Sequence, residues 1–292
     1  MRPYTLPPNV LRHFYAGGER IAALRGTEPA DHTPEEWIGA ANTTFDGSRG
    51  LSRLPDGRLL RDALEADPEA FLGPAHARRF GADPALLVKL LDAGQRLPVH
   101  FHPGREFAAR ELGLAHGKTE AWLIVEADPG ASVHVGFARE VALDEVRGWM
   151  EAQDSGAMLG AMQELPVTAG DAVFVPAGVP HAIGAGILMV EVQEPTDLSV
   201  LLEWEGFELT EENGRALYVP VGFAHGFCVL SDVADVTYKV SSYYDAETES
   251  GIAWNDPEVG VEWPVADPQT SERDTNAPRL SAIAEQLPFE LS

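Results

Sequence analysis

Residues 170–181 read Gly170-Asp-Ala-Val-Phe-Val-Pro176-Ala-Gly178-Val-Pro-His181. Ala172 to Val175 is an apolar run of strand length, Pro176-Ala-Gly178 is a turn signal, and His181 stands where the chain can turn back into a second strand. Similar runs, many of them β-branched and most bounded by Gly, Pro or Asp, recur at Leu86 to Leu91, Trp122 to Val125, Ser132 to Val135, Ile187 to Val192, Ser199 to Leu202 and Ala216 to Val219. This spacing predicts an antiparallel barrel or sandwich. Helical readings fit Leu59 to Asp67, Pro103 to Glu111 and Leu143 to Ala157. The last opens with acidic residues, which a helix N-terminus favours.

His181 has company upstream. His100-Phe-His102 puts two imidazoles at i and i+2, on one face of a strand. Glu120 follows Gly117-Lys118-Thr119 on the next strand. A His-x-His pair also arises by chance, but here the Pro-x-Gly-x-x-His turn comes after it in order and at fitting spacing, which completes the two-part signature of cupins. The fold class read from this is mainly β: a cupin barrel, a double-stranded β-helix of jelly-roll type, with a few short helices. Three imidazoles and a carboxylate suit Zn²⁺, Fe²⁺, Mn²⁺ or Ni²⁺, and the donor set does not choose among them. His13, His32 and His76 read as surface or loop residues, His134 as a packed core histidine, and His116 as an exposed loop residue. Pro220-Val-Gly-Phe-Ala-His225 echoes the turn before His181, as if one strand–turn–strand corner were used twice.

The 292 residues are 45% hydrophobic, enough for one large or two small cores. With 46 acidic and 21 basic side chains the formal net charge is −25, a field that repels phosphate backbones and anionic membranes, so neither nucleic acid nor a lipid surface is an expected partner. A small phosphorylated ligand stays admissible, because a buried cation and a few local Lys or Arg groups dominate inside a pocket. Cys228 is the single cysteine and forms no intrachain disulfide. Met1 to Ala23 lacks the apolar core of a signal peptide, and no run of about 18 apolar residues exists, so the expected location is the cytoplasm.

Residues 1–205 resemble class I mannose-6-phosphate isomerases of the short bacterial form. The likeness is carried by Leu97-Pro-Val-His-Phe-His-Pro103, Gly117-Lys-Thr-Glu-Ala-Trp122, Val175-Pro-Ala-Gly-Val-Pro-His-Ala-Ile-Gly-Ala-Gly186 and Glu191-Val-Gln193. The resemblance implies one zinc ion per chain, other divalent metals being admissible. His102, Glu120 and His181 fall on the family's ligands, and His100 stands where the family usually has Gln. It implies Lys118 as an electrostatic or proton-shuttling group, Glu191 as a supporting acid/base and Asp197 as a substrate-pocket aspartate. The implied reaction interconverts an aldose phosphate and a ketose phosphate through a cis-enediol(ate). One departure stands out: the family's arginine ten residues after the equivalent of Glu191 is Leu201 here. Losing that guanidinium opens the site to an unphosphorylated sugar.

From about Glu208 onward the chain resembles the C-terminal half of dTDP-4-dehydrorhamnose 3,5-epimerases, a cupin family that works without a metal. The likeness rests on residues 209–227, Ala234-Asp-Val-Thr-Tyr-Lys239, Gly251-Ile-Ala-Trp-Asn-Asp-Pro257, Trp263-Pro and Ser271-Glu-Arg-Asp274. It implies His225 as a nucleotide-sugar contact, Tyr238 as general acid and Asp274 as the residue that orients a histidine base. The Arg-Gly-Leu-His-x-Gln segment that should carry that base is absent from the sequence, and without a base the proton abstraction is incomplete. The expectation is therefore a metal-binding first domain, 1–205, and a cupin-like second segment, 206–292, joined between Glu203 and Glu211 as a fusion or recombination. A nucleotide-sugar epimerase and a non-catalytic sugar-binding cupin are the alternatives. The ligand in each case is a small sugar or sugar derivative, and the epimerase likeness leaves a homodimer open.

Overall fold

A computed structural model of the chain describes residues 5–44, 47, 49–204, 224–234, 236, 250–265 and 267–284. The chain divides into two units, Met1–Ala216 and Leu217–Ser292.

The first unit is built on eleven strands among its described residues: β1 (Val10–Leu11), β2 (Glu35–Ile38), β3 (Leu87–Ala93), β4 (His100–Phe101), β5 (Glu120–Ala127), β6 (Ser132–Phe137), β7 (Met162–Pro166), β8 (Ala172–Val175), β9 (His181–Ile183), β10 (Ile187–Gln193) and β11 (Val200–Leu201). They form two sheets, in the orders β1-β2-β3-β10-β5-β8 and β11-β4-β9-β6-β7. Each recorded pairing is antiparallel, β10 lying between β3 and β5 along seven residues. The architecture is that of a cupin, as the alternation of apolar runs and turns predicts. The main core lies between the sheets. Leu91, Trp122, Ile124, Val175, Ile187 and Met189 from the larger sheet pack with Val133 and Ile183 from the smaller one.

Two sequence expectations need correction. The helix expected over Leu143 to Ala157 is two, Leu143–Ala152 and Ser155–Ala161. The break has a local cause: Gln153 takes φ 48, and Asp154 accepts a hydrogen bond from Ala157 N at 2.8 Å as the cap of a new helix. Both helices lie over the smaller sheet, where Met158 and Met162 pack with Val99, Ala182 and Leu202. The segment Glu35–Ile38, not expected as a strand, is β2, because Glu35 and Trp37 face inward at period two and find partners there.

In the second unit Asp256 holds two segments together, accepting from Glu258 N at 2.8 Å and from Leu280 N at 2.7 Å. Ala216 to Val219 lies outside the described residues.

Candidate metal centre and active site

The register of the sheets explains why the histidines meet. His100 of β4 pairs directly with His181 of β9, and His102 comes two residues later, so its ring falls on the same face. Glu120 opens β5 in the other sheet, opposite Gln193. The coordinating ring nitrogens of His100, His102 and His181 gather within 4.8 Å of one another. Glu120 completes the group: its Oε2 lies 3.3 Å from His102 Nε2 and its Oε1 lies 3.3 Å from His181 Nε2. All four side chains are buried.

Each imidazole is held by main chain. Nδ1–H donates to Pro98 O at 2.8 Å in His100, to Leu198 O at 3.0 Å in His102 and to Val179 O at 2.9 Å in His181. A carbonyl only accepts, so these contacts place the proton on Nδ1 and leave the Nε2 lone pair facing the centre, as metal-binding imidazoles require. Burial, reinforced by His181 and His102, keeps the His100 pKa well below the usual range. Burial and the Lys118 ammonium push His102 down to about 3, and burial lowers His181. All three rings are thus neutral at pH 7. Burial works against charge on Glu120, but the Lys118 ammonium outweighs it and holds its carboxyl well below the usual carboxylate range. Trp122 Nε1 donates to Glu120 Oε1 at 3.1 Å and fixes the carboxylate. Glu120 Oε2 and His181 Nε2 are nonetheless buried with no hydrogen bond. Orphaned acceptors converging on one point fit a divalent cation.

Lys118 is buried beside this centre. Its Nζ lies 3.0 Å from His102 Nε2, 3.2 Å from Glu120 Oε2 and 3.7 Å from Glu191 Oε1. Glu191 sits in β10, in register with Lys89 of β3 on one side and Trp122 of β5 on the other. Burial, then the charge of Glu120, raises its pKa to about 7.

Sequence reading missed the polar cluster behind it. Glu35 accepts from Tyr15 OH at 2.7 Å and from Trp37 Nε1 at 2.7 Å. Its Oε2 is also 3.1 Å from Lys89 Nζ and 3.2 Å from His13 Nε2. Asp197, the expected pocket aspartate, reaches this cluster, 3.8 Å from Lys89. Burial opposes charge on Lys89, yet Glu35, Glu191 and Asp197 together raise its pKa. Lys89 also stands 4.9 Å over the Trp37 ring. Register makes these one row: Trp37 pairs with Lys89, Lys89 with Glu191 and Glu191 with Trp122. The signal was present, since a lysine interrupts the apolar run from Leu86 to Leu91.

Other histidines depart from expectation in detail. His13, expected as a surface or loop residue, lies in a loop and faces buried Glu35. His116, expected as an exposed loop residue, is half-buried and lies 2.5 Å from Asp83. His134 is half-buried rather than in the core. Of the epimerase-like residues, Tyr238 lies outside the described residues and His225 is exposed. Asp274 accepts from Ser271 Oγ at 2.7 Å in a helix-capping contact, which is a structural use of the carboxylate.

A family model described as dTDP-4-dehydrorhamnose 3,5-epimerase matches residues 184–282. The mannose-6-phosphate isomerase of Streptococcus mutans serotype c is 32% identical over 203 residues, 68% of this chain and 59% of that protein. This chain joins homologues of two enzyme families. The dTDP-4-dehydrorhamnose 3,5-epimerase of Shigella flexneri is 47% identical over 78 residues, 27% of this chain and 43% of that protein. The chain thus spans about three fifths of that isomerase's length and less than half of that epimerase's. Among solved structures, the mannose 6-phosphate isomerase from Bacillus subtilis shares the fold, with a TM-score of 0.62 at 23% identity over 78% of this chain and 72% of that one. A mannose 6-phosphate isomerase bound with zinc and yttrium has a TM-score of 0.51 at 19% identity over 68% of this chain and 70% of that one. The epimerase match begins at Gly184, between β9 and β10, so it takes in strands that build the first unit. Among the described residues no helix is long and apolar enough to cross a membrane.

Proposed function

We propose that the first unit is a zinc-dependent aldose–ketose isomerase of the mannose-6-phosphate isomerase type, interconverting mannose 6-phosphate and fructose 6-phosphate, or a related sugar, through a cis-enediol(ate), with the cytoplasm as its compartment. The observation that carries this reading is the buried gathering of His100, His102 and His181, with Glu120 against two of them and a buried ammonium and a buried carboxyl of raised pKa alongside. The isomerase homology, and zinc in a relative of the same fold, support it.

His100, His102, Glu120 and His181 would hold the ion, which supplies Lewis-acid polarisation of the sugar oxygens when bound. The protein's own groups do the rest. Lys118 donates toward the oxygen on which negative charge develops as the carbon acid ionises. Glu191, ionised above about pH 7, takes the proton from one sugar carbon and returns it to its neighbour, and a pKa near the working pH suits both halves of that transfer. Asp197 and the Lys89–Glu35 pair face sugar hydroxyls and orient them. The buried setting excludes bulk water and strengthens each of these electrostatic contacts.

A coupled mannose 6-phosphate and mannose assay on metal-loaded chain and on His181→Ala tests the reading. Activity that survives complete removal of metal, or stoichiometric metal in a chain lacking both His102 and His181, would overturn it. The epimerase-like match suggests a second reading, metal-independent C3/C5 proton exchange on a dTDP-keto-sugar. The exposed His225 and the capping use of Asp274 weigh against it.

A further inference from the structure

Resting on the metal-centre and isomerase readings above, we infer that Glu194 is a positioning residue: acting from outside the histidine centre, it fixes the segments that carry His102, Lys118, Glu120 and Asp197 relative to one another.

Glu194 directly follows the last residue of β10 and clasps Thr119 twice. Its main-chain N–H donates to Thr119 O at 3.1 Å, and its Oε2 accepts from Thr119 N at 3.1 Å. Thr119 stands between Lys118 and Glu120, whose side chains are buried and meet at 3.2 Å. In extended chain the residue between two such neighbours faces the other way. Thr119 accordingly lines an open groove together with Arg105, Pro176 and Glu194. Lys118 N donates in turn to Pro103 O at 3.1 Å, the residue after His102.

The other carboxylate oxygen reaches the segment after His102. Glu194 Oε1 accepts from Arg105 Nε at 3.1 Å and from its Nη2, and Arg105 opens the helix Arg105–Leu112. Downstream, the turn after Glu194 is closed on itself. Thr196 N donates to Glu194 O at 2.8 Å, while Gln193 Nε2 donates to Glu194 O at 3.0 Å and to Thr196 O at 2.5 Å. This turn delivers Asp197 to Lys89, and Leu198 O to His102 Nδ1 at 3.0 Å. The carbonyl that sets the His102 tautomer therefore hangs from a turn that Glu194 anchors.

The two halves of the clasp differ in weight. The Arg105 side chain is 62% exposed, so its ion pair is screened by solvent and worth little alone. The bond from Thr119 N is charge-assisted and grips main chain next to a ligand. Contacts of this kind, one step removed from a metal, hold ligand orientation and with it affinity.

The test uses the full chain in zinc-loaded, cobalt-loaded and metal-free forms. Glu194→Ala should lower zinc affinity by about tenfold or more in chelator competition and should shift the visible absorption of bound Co²⁺, which reads ligand geometry. With mannose 6-phosphate, kcat should fall by about tenfold while KM stays within about twofold, since ligands and acid/base groups are displaced and no substrate contact is removed. Glu194→Gln keeps an oxygen for Thr119 N and should restore the zinc affinity and the cobalt spectrum. Glu145→Ala, which breaks another exposed carboxylate–arginine pair with Arg139, should change neither.

Wild-type zinc affinity and cobalt spectrum in Glu194→Ala overturn the inference. So does failure of Glu194→Gln to restore them, or a loss of metal-free melting temperature that accounts for the whole effect, because Glu194 then serves the fold alone. A wild-type chain that binds no zinc overturns both this inference and the isomerase reading. If the wild-type chain binds zinc and converts no sugar, only the isomerase reading falls, and the affinity and the spectrum decide the role of Glu194.

Discussion

Lys118 donates to the same nitrogen that His102 would offer a metal: Nζ lies 3.0 Å from His102 Nε2. Ammonium and dication compete for one lone pair and repel each other, although both are drawn to Glu120. Lys118→Met should therefore tighten metal binding by about tenfold, since one adjacent like charge in a partly shielded setting is worth roughly 1–2 kcal/mol. The same change should lower turnover by about 10² to 10⁴, the usual contribution of a positioned acid or charge donor. A chelator competition and a steady-state assay on one preparation check both. Weaker metal binding in this variant would show that Lys118 supports the centre.

The ligands should not be equal. His181→Ala removes a neutral imidazole locked by Val179 O and leaves Glu120 short of a neighbour, so metal affinity should fall by at least about 100-fold. His100→Gln keeps an oxygen donor at the same place and should cost much less, with bound metal retained at micromolar concentration. Metal content after gel filtration separates the two outcomes. Chelation should lower the melting temperature of wild type and leave that of His181→Ala unchanged.

Glu191 gives the metal-free protein a pH signature. Its folded pKa of about 7 lies above that of the unfolded chain. The unfolded state therefore ionises first as pH rises. The stability linked to this proton is complete below about pH 4.5 and is lost as pH climbs through about 7, on the order of 3 kcal/mol in all. Glu191→Gln carries no such proton and should lack this decline. Urea titrations of chelated wild type and variant at pH 5 and pH 8 compare them directly. In turnover the same group, acting as base, should give a rate that rises with pH and flattens in the variant.

The Glu35–Lys89 pair is buried on both sides. Lys89→Met leaves Glu35 charged and short of its ammonium, a loss of about 3–5 kcal/mol. Glu35→Gln added to that variant should restore much of it, because no lone charge then stays buried. A double-mutant cycle by chemical denaturation reads the coupling, and simple additivity would show that the two do not depend on each other.

How much of this was legible in the sequence depends on how local each signal is. The barrel was readable because apolar runs and turn residues alternate within a few positions of each other. The metal group was readable because His100 and His102 share a strand and His181 ends a distinctive turn. Glu35 and Lys89 were not, for their meaning arises only when β2 and β3 pair. A Glu-Glu pair ahead of Trp37 looks like solvated chain until register turns Glu35 inward. The helix break at Gln153 was hidden for a different reason: Asp154 is polar enough to continue an exposed helix face, and only its hydrogen bond to Ala157 N shows it starting a new one.

Glu203 closes the first unit's described strands and has one more consequence. Its carboxylate accepts from Val99 N at 2.9 Å and Ser155 Oγ at 2.8 Å, and it takes both terminal nitrogens of Arg96. These contacts act as a strain relief, like the clamp where a cable enters a housing. A pull on the chain beyond Trp204 is taken up at Glu203 before it reaches His100. A barrel anchored in this way should hold its ligands in place when the chain is altered after Trp204. Tethering a bulky reporter after Trp204 should then leave metal affinity unchanged in wild type and weaken it in Glu203→Gln.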